Sequence, residues 1–466
     1  MKWVGGIWCL LLFLATLNAP SPLFGAEKIV SLSLNDCVSI GIKQSVELQK
    51  AKKEIGLSRK ILIDSIKQFL PQISSSLIQS ETKEKEMFGP LKWETYIWKT
   101  ELRQPLYHGG QLLGTYHQAR ARVKLFEAIY QKEKNDLVLE IKRYYFEVLK
   151  ARINLTTSKK IFDRVASLCS QAEEAYQKGL ITRLELLGYK AEFQEITTEL
   201  EASQKLLHLL SLRLKDRLGI DGKQPINLVE EDIGPLPAVP EIEEQIELAL
   251  KNSPEILISE SDYLLRKTDA IITNPPGLQI DIAGNYKETG NDFPLEDKEW
   301  EVKLILELPF FDHSLWGRLE KDKMEGGTQP TTDIKEGRLT LFDKDLLAKK
   351  IAAGRIETDA YRYYEVPPEK MRRMISQQVY QAVYDIMEAK RKLETTEVNI
   401  VQKKEKLMIE RKRYELKEIT ELNLVTSEIE LERAKAHLTA TRYSYLIALA
   451  GLEHITGLGG KRITIE

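Results

Sequence analysis

The chain has few of the residues that carry catalysis or bind metals. Its 466 residues include three cysteines and six histidines. The sequence contains no CxxC pair, no HxxxH pair and no serine in a GxSxG elbow. It therefore predicts no metal site, no cofactor and no enzymatic activity. Cys37 and Cys169 are too few and too far apart for a disulfide framework, and we expect free, packed thiols.

An excess of one charge is also missing. The chain has 68 basic and 70 acidic residues, which gives a formal net charge of −2. This balance argues against a nucleic-acid partner, because nucleic-acid binding needs a concentrated basic surface. Charged residues make up 30% of the chain and are interspersed, as expected for long helices exposed to solvent.

Long apolar runs are confined to the N-terminus. Lys2 is followed by an apolar run from Val4 to Leu17 and then by small residues up to Ala26. This order is typical of a secretory signal peptide, which we predict over residues 1–26. Past Ala26 no apolar stretch approaches the length of about 20 residues that a transmembrane helix needs.

The second half of the chain repeats the first. Four landmarks recur 238 positions later, namely Tyr176, Ile181, Thr182 and Gly219 as Tyr414, Ile419, Thr420 and Gly457. A constant shift over a long stretch indicates one duplicated structural unit. We predict a first repeat over residues 27–233, a Pro-rich linker over 234–240 and a second repeat over 241–466.

Each repeat contains a long helical hairpin. Residues 111–178 contain no proline, and as one helix they would extend about 100 Å. In the returning helix, apolar residues alternate steps of four and three, as in a coiled-coil seam, from Ile196 to Leu214. The second repeat has a seam at the shifted positions, from Ala434 to Leu452. The predicted hairpin tips are residues 177–184 and 415–422.

Four shorter segments have the two-residue period of β-strands. From Leu278 to Tyr286 and from Trp300 to Leu308, apolar residues alternate with polar ones over about nine residues, long enough for a tilted strand to cross an outer membrane. Residues 73–81 and 93–106 fill the same places in the first repeat. Seven aromatic residues suit the membrane interfaces: Trp93, Tyr96, Trp98, Tyr286, Trp300, Phe310 and Phe311. An amphipathic hairpin on a soluble domain is the alternative for any one segment.

The number of strands sets the expected assembly. Four strands cannot close a barrel, and strand edges must be paired inside lipid. Three copies would supply twelve strands, enough to enclose a lumen. The predicted fold class is thus mostly α with a membrane β-barrel portion. It is a duplicated unit of antiparallel coiled-coil helices plus four transmembrane strands per protomer, assembled as a trimeric α/β barrel.

The second repeat also contains an insertion. Pro105 aligns with Pro309 at a shift of 204, whereas the hairpins align at 238, so 34 additional residues lie within about 318–370. The segment from Gly326 to Thr332 is loop-like, and residues 343–353 are a candidate small helix. We expect a passive loop beside the long helix, and the alternative is a docking surface for a partner or for cell-wall polymer.

In the order of these landmarks the chain resembles the outer-membrane efflux protein (TolC-like) family. The residues that carry the resemblance, nearly all in duplicate, are Leu34–Leu48 with Ile242–Ile256, Phe69–Pro71, Gln104–Gly110, Tyr176–Leu187, Leu218–Gly219 and Thr456–Gly457. The resemblance implies a homotrimer with a twelve-stranded barrel in outer-membrane lipid and a helical barrel in the periplasm. It also implies hairpin tips that dock to a periplasmic adaptor (a membrane fusion protein) and through it to an inner-membrane transporter.

The resemblance assigns roles to residues of both tips. Those that would face the adaptor are Gly179, Leu180, Ile181, Thr182, Ile419 and Thr420. Glu185 matches a position where the family places acidic residues inside the periplasmic entrance, and Asn423 and Thr426 occupy such positions in the second repeat. Glu185 could equally be a solvated surface residue. Lys417 stands where the family usually has glycine.

The function implied is a passive exit duct of a tripartite efflux or type I secretion system, located in the outer membrane and extending into the periplasm. The alternative is a soluble periplasmic coiled-coil adaptor or structural spacer. The strands discriminate between the two, because a soluble spacer has no reason to present Trp300, Val302 and Leu304 on one strand face. The sequence does not indicate the cargo.

Overall fold

The structure is a computed structural model that describes residues 30–86, 89–230, 236–273, 278–310, 313–325, 332–340 and 367–458. The predicted signal peptide and the candidate helix at 343–353 lie outside these residues. The first repeat consists of β1 (Val30–Leu32), α1 (Leu34–Gln44), α2 (Val46–Lys67), β2 (Gln72–Glu86), β3 (Gly89–His108), α3 (Gln111–Gln177), α4 (Arg183–Leu218) and β4 (Ile226–Leu228).

The second repeat, like the part of the first that follows β1, begins with two short helices and two long strands. It then adds two more strands before its two long helices. It consists of α5 (Ile242–Asn252), α6 (Pro254–Thr273), β5 (Gln279–Gly290), β6 (Asp297–Phe310), β7 (His313–Glu325), β8 (Thr332–Thr340), α7 (Pro368–Glu415) and α8 (Glu421–Ile455). None of the helices within the described residues is long and apolar enough to cross a membrane.

The helices of each repeat pack as antiparallel hairpins along the predicted seams. In α4 the side chains of Ile196, Leu210 and Leu214 are buried against α3. In α8 the corresponding positions, including Tyr445 and Leu452, are buried against α7 and its neighbours. The 67 residues of α3 make a helix about 100 Å long. The body of the protein is therefore an elongated bundle.

The core of the first repeat lies where α1 and a small sheet cover α3. Strands β1 and β4 pair in parallel, and the Tyr145 hydroxyl of α3 donates to the Val229 carbonyl just after β4 (2.5 Å). Gly41 allows α1 to approach α3 closely, since a Cβ there would lie 2.4 Å from Ile141 Cδ1. Cys37 is buried in this core and Cys169 lies lower in the bundle, both as free thiols, as predicted.

The segment that joins the repeats crosses the second core. The Tyr445 hydroxyl donates to the Pro237 carbonyl (2.6 Å), within the part of the predicted linker that the structure describes. Burial raises the pKa of the Tyr445 phenol. The same core contains Ala249 of α5 and Ile386 of α7, both fully buried. The helices α1 and α5 thus each pack on the long helix of their own repeat, whereas α6 packs mainly against α3 of the first repeat.

The sheet differs from the prediction. Its strands follow the order β2-β3-β5-β6-β7-β8, so the described residues form one six-stranded antiparallel sheet and not four strands per chain. The additional hairpin, β7–β8, comes from the predicted insertion. The expectation of a passive loop was wrong for residues 318–325 and 332–340, because β7, which begins just before the insertion, continues the ladder along nearly the whole of β6.

The predicted alternation in β5 and β6 is confirmed. Tyr286 is paired with Trp300, Gly284 with Val302, and Ile282 with Leu304. The apolar residues of both strands therefore share one face of the sheet, and the polar residues share the other.

Candidate functional site

The first hairpin tip is a turn that needs a left-handed residue. Gly179 has φ +70°, its N–H donates to the Tyr176 carbonyl (2.9 Å), and the Leu180 N–H donates to the Ala175 carbonyl (2.8 Å). These two bonds are the Schellman arrangement that closes a helix. A Cβ on Gly179 would meet no atom within 4 Å, so the backbone conformation alone favours glycine here.

The helix that leaves the first tip begins with a capping box. The Glu185 N–H donates to the Thr182 hydroxyl (3.2 Å), and the Thr182 N–H donates to the Glu185 carboxylate (2.7 Å). The bond from the Thr182 N–H, followed by that from its hydroxyl, holds the pKa of the Glu185 carboxyl below its ordinary value. Glu185 thus stabilises the start of α4, a role that neither of the sequence interpretations included.

The second tip has the same backbone with different residues. Lys417 takes the left-handed position with φ +59°. Its N–H donates to the Tyr414 carbonyl (2.9 Å), and the Glu418 N–H donates to the Arg413 carbonyl (2.9 Å). The turn therefore persists without the usual glycine. A left-handed conformation costs a non-glycine residue about 1–2 kcal/mol.

The cap of the second tip is weaker. The Thr420 hydroxyl accepts from the Asn423 N–H at 3.4 Å, and Asn423 stands where Glu185 stands in the first tip. The Thr426 hydroxyl donates to the Leu422 carbonyl of its own helix (2.8 Å). Asn423 and Thr426 both lie within the first two turns of α8, and neither carries a charge. Their place at the entrance stays a prediction.

The two tips expose different surfaces. Leu180, Leu184 and Leu187 of the first tip are exposed by 74%, 80% and 53%. The counterpart of Leu180 in the second tip is Glu418, which is charged, and the counterpart of Leu187 is Val425, which is buried at 1% exposure. Of the other predicted docking residues, Gly179, Thr182 and Thr420 are exposed, whereas Ile181 and Ile419 are half-buried. The first tip thus exposes three leucines, whereas on the second tip the exposed leucine is Leu416, at 70%.

The second hairpin packs against the first above the tips. Their shared core consists of Ile161, Val165 and Leu168 of α3, Ile196 of α4, and Val425 and Ile429 of α8. Arg164 of α3 lies 3.8 Å from the carboxylate of Glu421 and 3.5 Å from that of Glu428, both in α8. Sequence reasoning missed these contacts, which join segments more than 250 residues apart.

One face of the sheet is apolar and aromatic. Trp98 is 46% exposed and donates its Nε1–H to the Ser75 hydroxyl (2.7 Å). The Tyr96 ring lies 5.1 Å, centroid to centroid, from that of Phe293 at the turn between β5 and β6. Tyr286 lies opposite Trp300. The remaining predicted interface aromatics are Trp93 in β3, Phe310 in β6, and Phe311, which is outside the described residues.

The other face of the sheet carries ion pairs between strands. Asp281 of β5 accepts from Arg103 (3.3 Å) and contacts His108 Nε2 (2.7 Å) on β3. On the same face, nearer to the turn that joins β5 and β6, the Glu301 carboxylate of β6 accepts from the Asn285 amide (2.8 Å). Within the described residues, no group of three or more His, Cys, Asp or Glu side chains is arranged to hold a metal ion.

Comparison with known proteins identifies this combination of hairpins and sheet. Residues 42–216 match the model of the family described as outer membrane efflux protein. The match runs from α1 to the end of α4. Over its first repeat, the chain is therefore similar to the outer membrane efflux protein family. No curated protein matches the chain in sequence.

Over most of its length, the chain has the fold of solved outer-membrane channels. The Campylobacter jejuni CmeC channel superimposes with a TM-score of 0.69 at 14% identity, over 91% of this chain and 86% of that one. The Vibrio cholerae outer membrane protein VceC superimposes with a TM-score of 0.69 at 14% identity, over 91% of this chain and 96% of that one. The open state of the Neisseria gonorrhoeae MtrE channel superimposes with a TM-score of 0.66 at 14% identity, over 91% of this chain and 89% of that one. The likeness therefore extends to the second repeat.

Proposed function

We propose that three copies of this chain form a passive exit duct through the outer membrane. The family and the fold support a channel, and the two faces of the sheet carry the proposal further. An apolar, aromatic face suits lipid and a face of paired charges suits an aqueous lumen, as in outer-membrane barrels. A soluble spacer would gain nothing from exposing Trp98, Tyr286 and Val302 on one side.

The long hairpins would continue the duct into the periplasm. A helix of 67 residues reaches about 100 Å below the sheet, a span that a compact soluble domain has no need to cover. The duct would not hydrolyse anything, and the energy for transport would come from an inner-membrane transporter that binds through an adaptor. Efflux and type I secretion both use this arrangement.

We further propose that the adaptor contacts the first tip more than the second. Leu180 and Leu184 are the most exposed leucines of the tips. A partner that covers them removes their apolar surface from water, which favours binding. Gly179, Ile181 and Thr182 would shape this contact, and Ile419 and Thr420 would form its smaller counterpart. The entrance would be lined by Asn423 and Thr426, while Glu185 holds its helix in place.

Conductance tests the duct directly. Purified protein reconstituted into planar lipid bilayers should give discrete ion-conducting events, because three copies enclose a continuous aqueous path. A coiled-coil spacer or adaptor should leave the bilayer insulating. Absence of conductance from a preparation that is shown to be folded and inserted would contradict the proposal.

A further inference from the structure

The third hairpin of the sheet, β7–β8, has the properties of a piece of barrel wall. Every residue of β7 pairs with β6, from Glu325 opposite Lys298 to His313 opposite Phe310. Both edges of β6 are thus occupied, by β5 on one side and β7 on the other. Within the described residues, the strands with one neighbour in this sheet are β2 and β8.

Part of the apolar face of the sheet continues onto this hairpin, which also places Lys335 opposite Leu319 on the same face. Leu319 lies opposite Leu304, Leu315 opposite Leu308, and Leu339 of β8 opposite Leu315. The three leucines of the hairpin are exposed by 46%, 46% and 56%, against 38% for Leu308. Their exposure on the side that already carries the apolar residues of β5 and β6 is what a lipid-facing strand requires.

The ionic face also continues onto the hairpin. Arg318 of β7 lies opposite Ile305, and its guanidinium is 3.7 Å from the carboxylate of Glu301 on β6. Both side chains are mostly withdrawn from solvent, with 28% and 20% exposure. The hairpin therefore shares the two-faced character of the strands before it.

We propose that β8 pairs with β2 of a second copy of this chain and that the barrel contains six strands from each copy. The proposal depends on the trimeric duct proposed above. An unpaired edge is not tolerated inside lipid, and six strands are fewer than the eight of the smallest barrels. Three copies would give about 18 strands and a barrel about one and a half times as wide as one of twelve.

Cysteine pairs test which strand accepts the neighbouring β2. Ile73→Cys on β2 is combined with Lys335→Cys, Gly337→Cys or Leu339→Cys on β8. The matched comparison set combines it with Val302→Cys, Leu304→Cys or Leu306→Cys on β6. Three positions per strand cover the unknown register between copies. The double variant Leu304→Cys with Leu319→Cys is the positive control, because these residues are register partners within one chain.

Each variant is first run unheated on a seminative gel to show that its trimer is intact, and is then oxidised, denatured and separated without reductant. We expect covalent dimers and trimers from the β2–β8 pairs and none from the β2–β6 pairs. Products from the β2–β6 pairs alone would overturn the proposal, because β2 of the neighbour would then occupy the place of β7. Intact trimers without a β2–β8 product would also overturn it. Absence of a trimer in the unsubstituted protein would instead contradict the proposed function.

Discussion

At the first hairpin tip a glycine occupies the left-handed position that ends the long helix, whereas at the second tip a lysine occupies it. The hydrogen bonds of the two turns are nevertheless the same. The side chains around them have diverged, since Leu187 is 53% exposed and its counterpart Val425 is 1% exposed. Duplication has thus kept the backbone of the tip and changed its surface, so that Leu187 is exposed where its counterpart Val425 packs between the hairpins.

The largest expected effect is on stability, and it distinguishes a buried residue from its exposed counterpart in the other repeat. Val425→Asp should lower the free energy of unfolding by more than about 3 kcal/mol, because it places an unpaired charge in the core shared by α3, α4 and α8. Leu187→Asp at the equivalent exposed position should change it by less than about 0.5 kcal/mol. Thermal denaturation of the detergent-solubilised protein checks both. Equal destabilisation by the two substitutions would mean that Leu187 is covered in the assembly and that the tips do not differ.

The next effect concerns docking. Leu180→Glu places at the first tip the residue that the second tip has at Glu418. We expect adaptor affinity to fall about tenfold, equivalent to about 1.4 kcal/mol, because a 74% exposed leucine is lost from the proposed contact. Co-purification with titrated adaptor measures this.

Leu416→Glu is the matched control for docking, since Leu416 is 70% exposed on the second tip. Its affinity for the adaptor should remain close to that of the unsubstituted protein. A loss of affinity in the control as large as that of Leu180→Glu would show that both tips dock equally.

An exchange of the two left-handed residues should have a smaller effect on stability. Gly179→Lys should destabilise its hairpin by about 1 kcal/mol, and Lys417→Gly should stabilise the second hairpin by up to a similar amount. Neither change should alter side-chain packing, because Gly179 has open space around its Cα and Lys417 is exposed. Hydrogen exchange of the amides that close each turn measures the local effect, and a neutral Gly179→Lys would refute the strain at Lys417.

The smallest expected effect is a difference in pH response. The pKa of Glu185 is lowered in the folded protein, so its contribution to stability is present above its unfolded pKa of about 4.3 and is lost as the pH falls through the folded value. Asn423 does not titrate. Acidification below about pH 4 should therefore increase hydrogen exchange in the first turn of α4 more than in that of α8. The same increase in Glu185→Gln would exclude the carboxylate as its cause.

Features with a local signal could be predicted from the sequence. A single segment displays the period of each seam, from Ile196 to Leu214 and from Ala434 to Leu452, and the alternation in β5 and β6. The repeat is also readable, because residues 238 positions apart match. The capping box was also readable, because Thr182 and Glu185 have the Thr-x-x-Glu spacing. It was overlooked because an entrance role for Glu185 was considered first.

The third hairpin could not be predicted in the same way. Residues 313–325 contain two lysines, two glutamates and one aspartate, residue types that are depleted in strands, and their strand conformation depends on pairing with β6. The contact of Arg164 with Glu421 and Glu428 was hidden for a similar reason. It depends on how two hairpins that are distant in sequence pack together, and no local period records that packing.

The proposed duct requires that this chain act as a trimer embedded in the outer membrane. Cell fractionation followed by seminative gel electrophoresis of detergent extracts, with and without boiling, tests this directly. We expect a species in the outer-membrane fraction that migrates as a trimer when unheated and as a monomer after boiling. Release of the protein as a soluble periplasmic monomer, without detergent, would rule out the duct and favour a coiled-coil spacer.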